Sequence, residues 1–186
     1  MREHMQRQEP GYVVHAGCDH IFFIGFLGAG KSTLARNLGA LFKREFVDTD
    51  RLVERARGKS VCDIFAEDGQ ESFRHGEADA LRALARRKSL LVSCGGGIVE
   101  GDEACGLMHR MGTVVYLDGS FQDSLRQIRH PELRPDFVSE RDAVKLYRKR
   151  RPLYQREADL VLDIHDKTFE QVCAGAAELL WEEGLL

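Results

Sequence analysis

Ile21-Phe22-Phe23-Ile24-Gly25-Phe26-Leu27-Gly28-Ala29-Gly30-Lys31-Ser32 sets a continuous apolar run directly before a glycine-rich segment of the form GxxxxGK[ST]. Leu34, Leu38 and Leu41 then follow at helical spacing. An apolar run without alternation reads as a strand covered on both faces, as in a parallel sheet. The glycines let successive backbone N–H groups turn inward around phosphate oxygens, and the helix beginning near Lys31 adds its positive end. In this arrangement Lys31 is expected to reach the β- and γ-phosphates, while the Ser32 hydroxyl is placed to ligate Mg²⁺. Gly28, Ala29, Gly30 and Thr33 belong to the same expected anion site. A functionless glycine-rich turn is the alternative for the motif in isolation. Its place between a buried strand and an amphipathic helix favours nucleotide binding.

Four further short apolar runs occur downstream, at Glu45–Asp48, Ser89–Cys94, Thr113–Asp118 and Asp159–Ile164. Helical stripes lie between and after them: Ala80, Leu81 and Leu84, then Val172, Ala176, Leu179 and Leu180. Five strands alternating with helices predict an α/β fold, a parallel sheet sandwiched by helices with right-handed crossovers. Residues 1–19 are a polar lead-in in which Gly11-Tyr12-Val13-Val14-His15 could add an edge strand, although a flexible arm fits equally. Residues 20–186 are taken as a single domain, with the stretches Asp48–Gly69 and Arg129–Glu140 carried outside its core.

Composition narrows the function classes. The 186 residues are 43% hydrophobic and 31% charged, ordinary for a globular chain and against wholesale disorder. No apolar run approaches the ~18 residues of a membrane span, and the polar start lacks the core of a secretory signal. A net charge of −3 argues against a nucleic-acid partner. Five scattered cysteines without a CxxC pair suit reduced thiols in a cytoplasmic protein. The seven histidines form no ligand-spaced cluster, so a zinc site has little support.

Nucleotide binding leaves switches, motors and kinases open. The chain has no Asn-Lys pair and so lacks the guanine-reading signature of a GTPase. The second strand ends instead in Asp48-Thr49-Asp50, two carboxylates that point the same way if strand geometry persists. At the carboxyl edge of the sheet they would face the phosphate loop, one helping to hold Mg²⁺ and the other orienting a substrate hydroxyl. An aspartate capping the next helix is the competing explanation.

These residues resemble the shikimate kinase family, whose fold is the phosphate-loop kinase fold of the nucleoside monophosphate kinases. The resemblance runs from about Ile21 to Leu180. It is carried by Gly25–Ser32, Asp48-Thr49-Asp50, Ile64-Phe65 with Gly69, Phe73-Arg74 with Glu77, Gly95-Gly96-Gly97, Arg134-Pro135, and Arg150 in Arg-x-Pro-x-Tyr. It implies a substrate-binding insertion at about 49–77 and a lid at about 129–140. Arg74 and Arg150 are assigned to the substrate carboxylate, with Arg151 as second choice if the register slips by one. The triglycine loop, Gly95, Gly96 and Gly97, is assigned to the substrate hydroxyls, and Arg134 to the lid arginine over the transferring phosphoryl group. Helix spacing lets Glu77 orient Arg74, a solvated surface pair being the bland alternative. Arg150 competes with a simple basic face in Arg148-Lys149-Arg150-Arg151. Arg126 or Arg129, together with the loop His165–Thr168, is expected on the adenine side.

The chain departs from the family in Asp136-Phe137, where Arg-Pro is usually followed by two aliphatic residues. The activity implied is ATP-dependent phosphorylation of the 3-hydroxyl of shikimate, by a cytoplasmic, Mg²⁺-dependent monomer. Lys31, Asp50 and Arg134 carry the chemistry, and Ser32 and Asp48 hold the metal. Two other classes stay open: a related kinase acting on another polyhydroxy acid such as gluconate, and a catalytically silent nucleotide-binding module.

Overall fold

The computed structural model describes residues 18–127 and 139–186. The expected edge strand at Gly11–His15 lies outside the described residues, as do Arg129, Arg134 and nearly all of the expected lid. Cys18, assigned above to the arm, is buried; its carbonyl accepts from the Ser89 amide at 2.6 Å.

All five expected strands form, each with slightly shifted ends: β1 (His20–Ile24), β2 (Phe46–Asp48), β3 (Leu91–Ser93), β4 (Gly112–Asp118) and β5 (Leu160–Asp163). They make one sheet in the order β2-β3-β1-β4-β5, with every pairing parallel. The helices are α1 (Lys31–Phe42), α2 (Thr49–Arg57), α3 (Val61–Glu67), α4 (Gly69–Leu84), α5 (Asp102–Met111), α6 (Phe121–Gln127), α7 (Glu140–Glu157) and α8 (Phe169–Glu182).

The period-two alternation of a strand explains the layering. From β1, Phe22 and Ile24 enter one core with Ala78, Leu81 and Leu84 of α4, Met108 of α5 and Tyr154 of α7. Ile21 and Phe23 enter the opposite core with Leu34, Ala35 and Leu38 of α1 and Val172, Ala176 and Leu180 of α8. Both faces of β1 are therefore apolar, and Phe22 and Phe23 are completely buried. Burial of each is worth roughly 2–3 kcal/mol.

Two sequence expectations change. Leu41, counted in the α1 stripe, is 68% exposed, because the buried arc of α1 centres on Ala35 and Leu38 and runs on to Phe42. At about 100° per residue, Leu41 falls at the edge of that arc. β5 alternates rather than lying wholly buried: Leu162 packs inward while Val161 is exposed. As an edge strand it is covered on one face only.

A smaller apolar cluster, Val53, Ile64, Phe73 and Ala80, joins α2, α3 and α4 outside the main core. Val53, Ile64 and Phe73 fall within the stretch 49–77, and Ala80 lies beyond it. The expected lid ends where α7 begins, its Ser139 side chain capping the helix by accepting from the Asp142 amide at 3.2 Å. Ser93 pairs in register with Asp48 on one side and Phe23 on the other, so the carboxyl ends of β1, β2 and β3 converge at one edge. That edge is where open α/β sheets take their ligands.

Candidate active site

The segment from Gly25 to Ser32 curls between β1 and α1, with Gly30 capping α1 in the left-handed region at φ 83°. Lys31 is buried, and its ammonium donates to the carbonyls of Gly25 at 2.8 Å and Phe26 at 2.9 Å. It therefore closes the loop on itself. Ser32 Oγ donates to Asp48 Oδ2 at 2.8 Å and lies 2.8 Å from Ser93 Oγ. Asp48 caps α2 as the competing explanation had it, Oδ1 accepting from the Arg51 amide at 3.3 Å, while its Oδ2 accepts from Ser32. Three oxygen donors from three elements thus meet beside the phosphate loop. A hard, all-oxygen set fits Mg²⁺.

Asp50 reaches the site by a different route from the one expected. The strand ends at Asp48, and Asp50 sits in the first turn of α2. No extension of the strand aligns the two carboxylates; the helical turn swings Asp50 toward β3. A methyl group added at Gly95 would collide with Asp50 Oδ1 and stand 2.8 Å from Glu77 Oε1. One added at Gly97 would collide with Arg74 Nη2 and stand 2.8 Å from Arg150 Nη2. The resemblance assigns these glycines to the substrate hydroxyls, which asks for a ligand close to their backbone. They first let the protein's own carboxylates and guanidinium groups come close.

Nor are the loop's polar groups all available to a ligand. The Gly95 amide donates to Thr49 Oγ1 at 2.9 Å, and Tyr154 Oη donates to the Gly96 carbonyl at 2.5 Å. Tyr154 is itself stacked on Tyr116, with ring centroids 5.3 Å apart. Thr49 and Tyr154 pin the triglycine loop, and sequence reasoning missed both. Tyr154 closes the Arg-x-Pro-x-Tyr motif and Thr49 separates the two aspartates, so their neighbours were the available signal.

Arg74 donates through Nη1 to Glu77 Oε2 at 2.6 Å and through Nη2 to Glu100 Oε2 at 3.0 Å. Its pair with Glu77 is no solvated surface contact, because Glu77 is fully buried. Arg150 is 1% exposed and its Nη2 also meets Glu100 Oε2, at 3.3 Å. Arg151, the second choice, points elsewhere: it is half exposed and lies 3.5 Å from Asp118. Glu100, at the end of a 3-10 turn Ile98–Glu100, was not singled out from the sequence. Thr33 is exposed on α1. Arg126 is largely exposed, 3.6 Å from Asp123 and 3.9 Å from Asp166, which sets it beside the loop following β5. Cys94 is buried against Met108 with its thiol pKa pushed up by burial, as an inert thiol should be. Leu27 of the phosphate loop, Asp50, Arg74, Glu77 and the three glycines line one cleft, walled by Phe65 and Phe73.

Burial pushes Glu77 up to about 7 against the pull of Arg74, with Asp50 adding to the rise. Between the ordinary value of 4.5 and about 7, the folded state keeps a proton that the unfolded chain has released. The stability from this group is therefore full below pH 4.5 and lost as pH rises through about 7. Between pH 5 and 8, wild type is expected to lose up to ~3 kcal/mol more than Glu77→Gln in denaturant titrations. Equal losses in the two proteins would refute this.

A sequence model described as shikimate kinase matches residues 27–180. A shikimate kinase of Dehalococcoides mccartyi is 34% identical over 157 residues, covering 83% of this chain and 89% of that protein. One from Dictyoglomus turgidum is 31% identical over 166 residues, covering 87% and 96%. Among solved structures, shikimate kinase from Acinetobacter baumannii in complex with shikimate superposes with a TM-score of 0.83 at 29% identity, covering 90% of this chain and 95% of that one. A gluconokinase from Sinorhizobium meliloti, at 15% identity and a TM-score of 0.54, shares the fold alone. The phosphate loop, the Asp48–Asp50 turn and the arginine-lined cleft thus occur in a chain that belongs to the shikimate kinase family.

Proposed function

We propose that the protein transfers the γ-phosphoryl group of ATP to the 3-hydroxyl of shikimate, yielding shikimate 3-phosphate and ADP. The observation that carries this is a single cleft in which the phosphate loop, through Leu27, adjoins Asp50 and the Arg74 guanidinium. Arg150 reaches the same carboxylate as Arg74 from the opposite element, α7.

The triphosphate is gripped by the amides of Gly28, Ala29, Gly30, Lys31 and Ser32, with the Lys31 ammonium moving from its own loop carbonyls to phosphate oxygens. Ser32 and Asp48 would hold Mg²⁺, which neutralises phosphate charge when bound. Arg74 and Arg150 fix the substrate carboxylate, as suits planar guanidinium donors. The triglycine backbone faces the substrate hydroxyls. Asp50 accepts a hydrogen bond from the 3-hydroxyl and takes its proton as the new P–O bond forms and the bond to the ADP oxygen breaks. Phosphoryl transfer depends mainly on positioning and charge stabilisation, so a carboxylate suffices as base. The family resemblance adds Arg134 over the transferring group and Arg126 near adenine.

The same reading has the enzyme acting as a cytoplasmic monomer on two small molecules. No helix among the described residues is long and apolar enough to cross a membrane. Its test is a coupled ADP-release assay with shikimate, gluconate and other polyhydroxy acids. Turnover confined to shikimate is expected; turnover with another acid, or none, overturns the assignment.

A further inference from the structure

Glu100 holds a position that the mechanism does not use. Its Oε2 accepts from Arg74 Nη2 at 3.0 Å, Arg150 Nη2 at 3.3 Å and Gln70 Nε2 at 3.2 Å. Its Oε1 lies 2.9 Å from the Lys149 ammonium. The side chain is only 10% exposed. The two guanidinium nitrogens that it bridges belong to the arginines assigned to the substrate carboxylate. They come from different elements, α4 and α7, and meet on this one carboxylate at the end of the turn that follows Gly97.

We propose that Glu100 is an internal competitor for the substrate carboxylate, occupying the Arg74–Arg150 clamp in the free enzyme and setting its affinity and selectivity for a carboxylate-bearing substrate. The inference rests on the reading that this clamp takes the substrate carboxylate. A carboxylate tied to the chain meets the guanidinium groups at high effective concentration, so an incoming acid must displace it or share its donors. Burial alone would raise the pKa of Glu100, yet Lys149, Arg150 and Arg74 outweigh it and bring it down to about 2. The competitor is therefore charged throughout the working pH range. It does not hold the clamp's shape alone, since Glu77 anchors Arg74 through the other nitrogen at 2.6 Å. Glu100 is thus a specificity-determining residue, distinct from the groups that grip the substrate.

Glu100→Gln keeps the volume and removes the charge, and Glu100→Ala removes the competing group altogether; circular dichroism verifies that each is folded. The assay compares shikimate with its methyl ester, which has the same hydroxyls and no charge, in buffer free of small carboxylates. Both variants are expected to lower KM for shikimate about tenfold, with kcat within about twofold and KM for the ester unmoved. Added acetate should inhibit the variants more strongly than wild type, because the vacated clamp accepts it. A raised or unchanged KM for shikimate, or an equal shift for acid and ester, overturns the proposal. Arg74→Ala separates the underlying reading: if it leaves the preference for acid over ester intact, the clamp does not bind the carboxylate and the inference falls with it. If that preference collapses while Glu100→Gln raises KM, the clamp stands and the competitor role alone fails.

Discussion

Asp50→Asn is expected to lower kcat by about 10²–10⁴-fold while the affinities for ATP and shikimate change only a few-fold. The amide keeps the volume of the side chain and can still accept a hydrogen bond from the substrate hydroxyl, but it cannot take the proton. Asp50 lies against the Gly95 backbone, beside Glu77, with Thr49 holding the Gly95 amide from the preceding position in α2. The group is therefore placed by a rigid turn, and a geometric excuse for lost activity is small. Quench-flow measurement of the chemical step, with binding followed separately by titration calorimetry, checks the split. An affinity loss as large as the rate loss would show that Asp50 only binds.

Arg74→Ala is expected to weaken shikimate binding by about 2–4 kcal/mol and leave ATP affinity nearly intact. The direction follows from the division of the cleft: Arg74 rises from α4, whereas Lys31 and the loop amides belong to α1 and its approach. A second cost comes from inside the protein. Glu77 would lose the Arg74 guanidinium that donates to its Oε2 and remain fully buried. Stranding a buried charge costs about 3–5 kcal/mol of stability, though a proton on Glu77 relieves part of it. The double variant Arg74→Ala with Glu77→Gln should recover stability without recovering shikimate affinity. Denaturation midpoints and calorimetry together test this. Equal loss of ATP and shikimate affinity would remove Arg74 from the acid-binding role.

Much of the architecture was legible because it rests on local patterns. The apolar run Ile21–Ile24, the glycine-lysine-serine loop and the Leu34–Leu38 spacing are written within eighteen residues, and β1, loop and α1 form where they predict. Leu41 departs because periodicity indicates a face but not where the edges of its buried arc fall. Val161 departs because strand composition does not say which strand lies at the edge. The site was legible as a set of motifs and less so as a geometry. Asp48 and Asp50 do face the same region, but through a helical turn and not a prolonged strand. The pairing of Glu77 with Arg74 could be read from helix spacing, whereas its full burial could not.

The order and type of elements, the anion-binding loop and the identity of the acidic and basic side chains follow from the chain alone, since each depends on interactions between near neighbours. The placing of Glu100 between Arg74 and Arg150, the pinning of the triglycine loop by Thr49 and Tyr154, and the turning of Arg151 away to Asp118 required the packed molecule. These contacts join residues tens of positions apart across different elements. Their partners are selected by which helices the sheet holds side by side, and spacing along the chain carries no record of that.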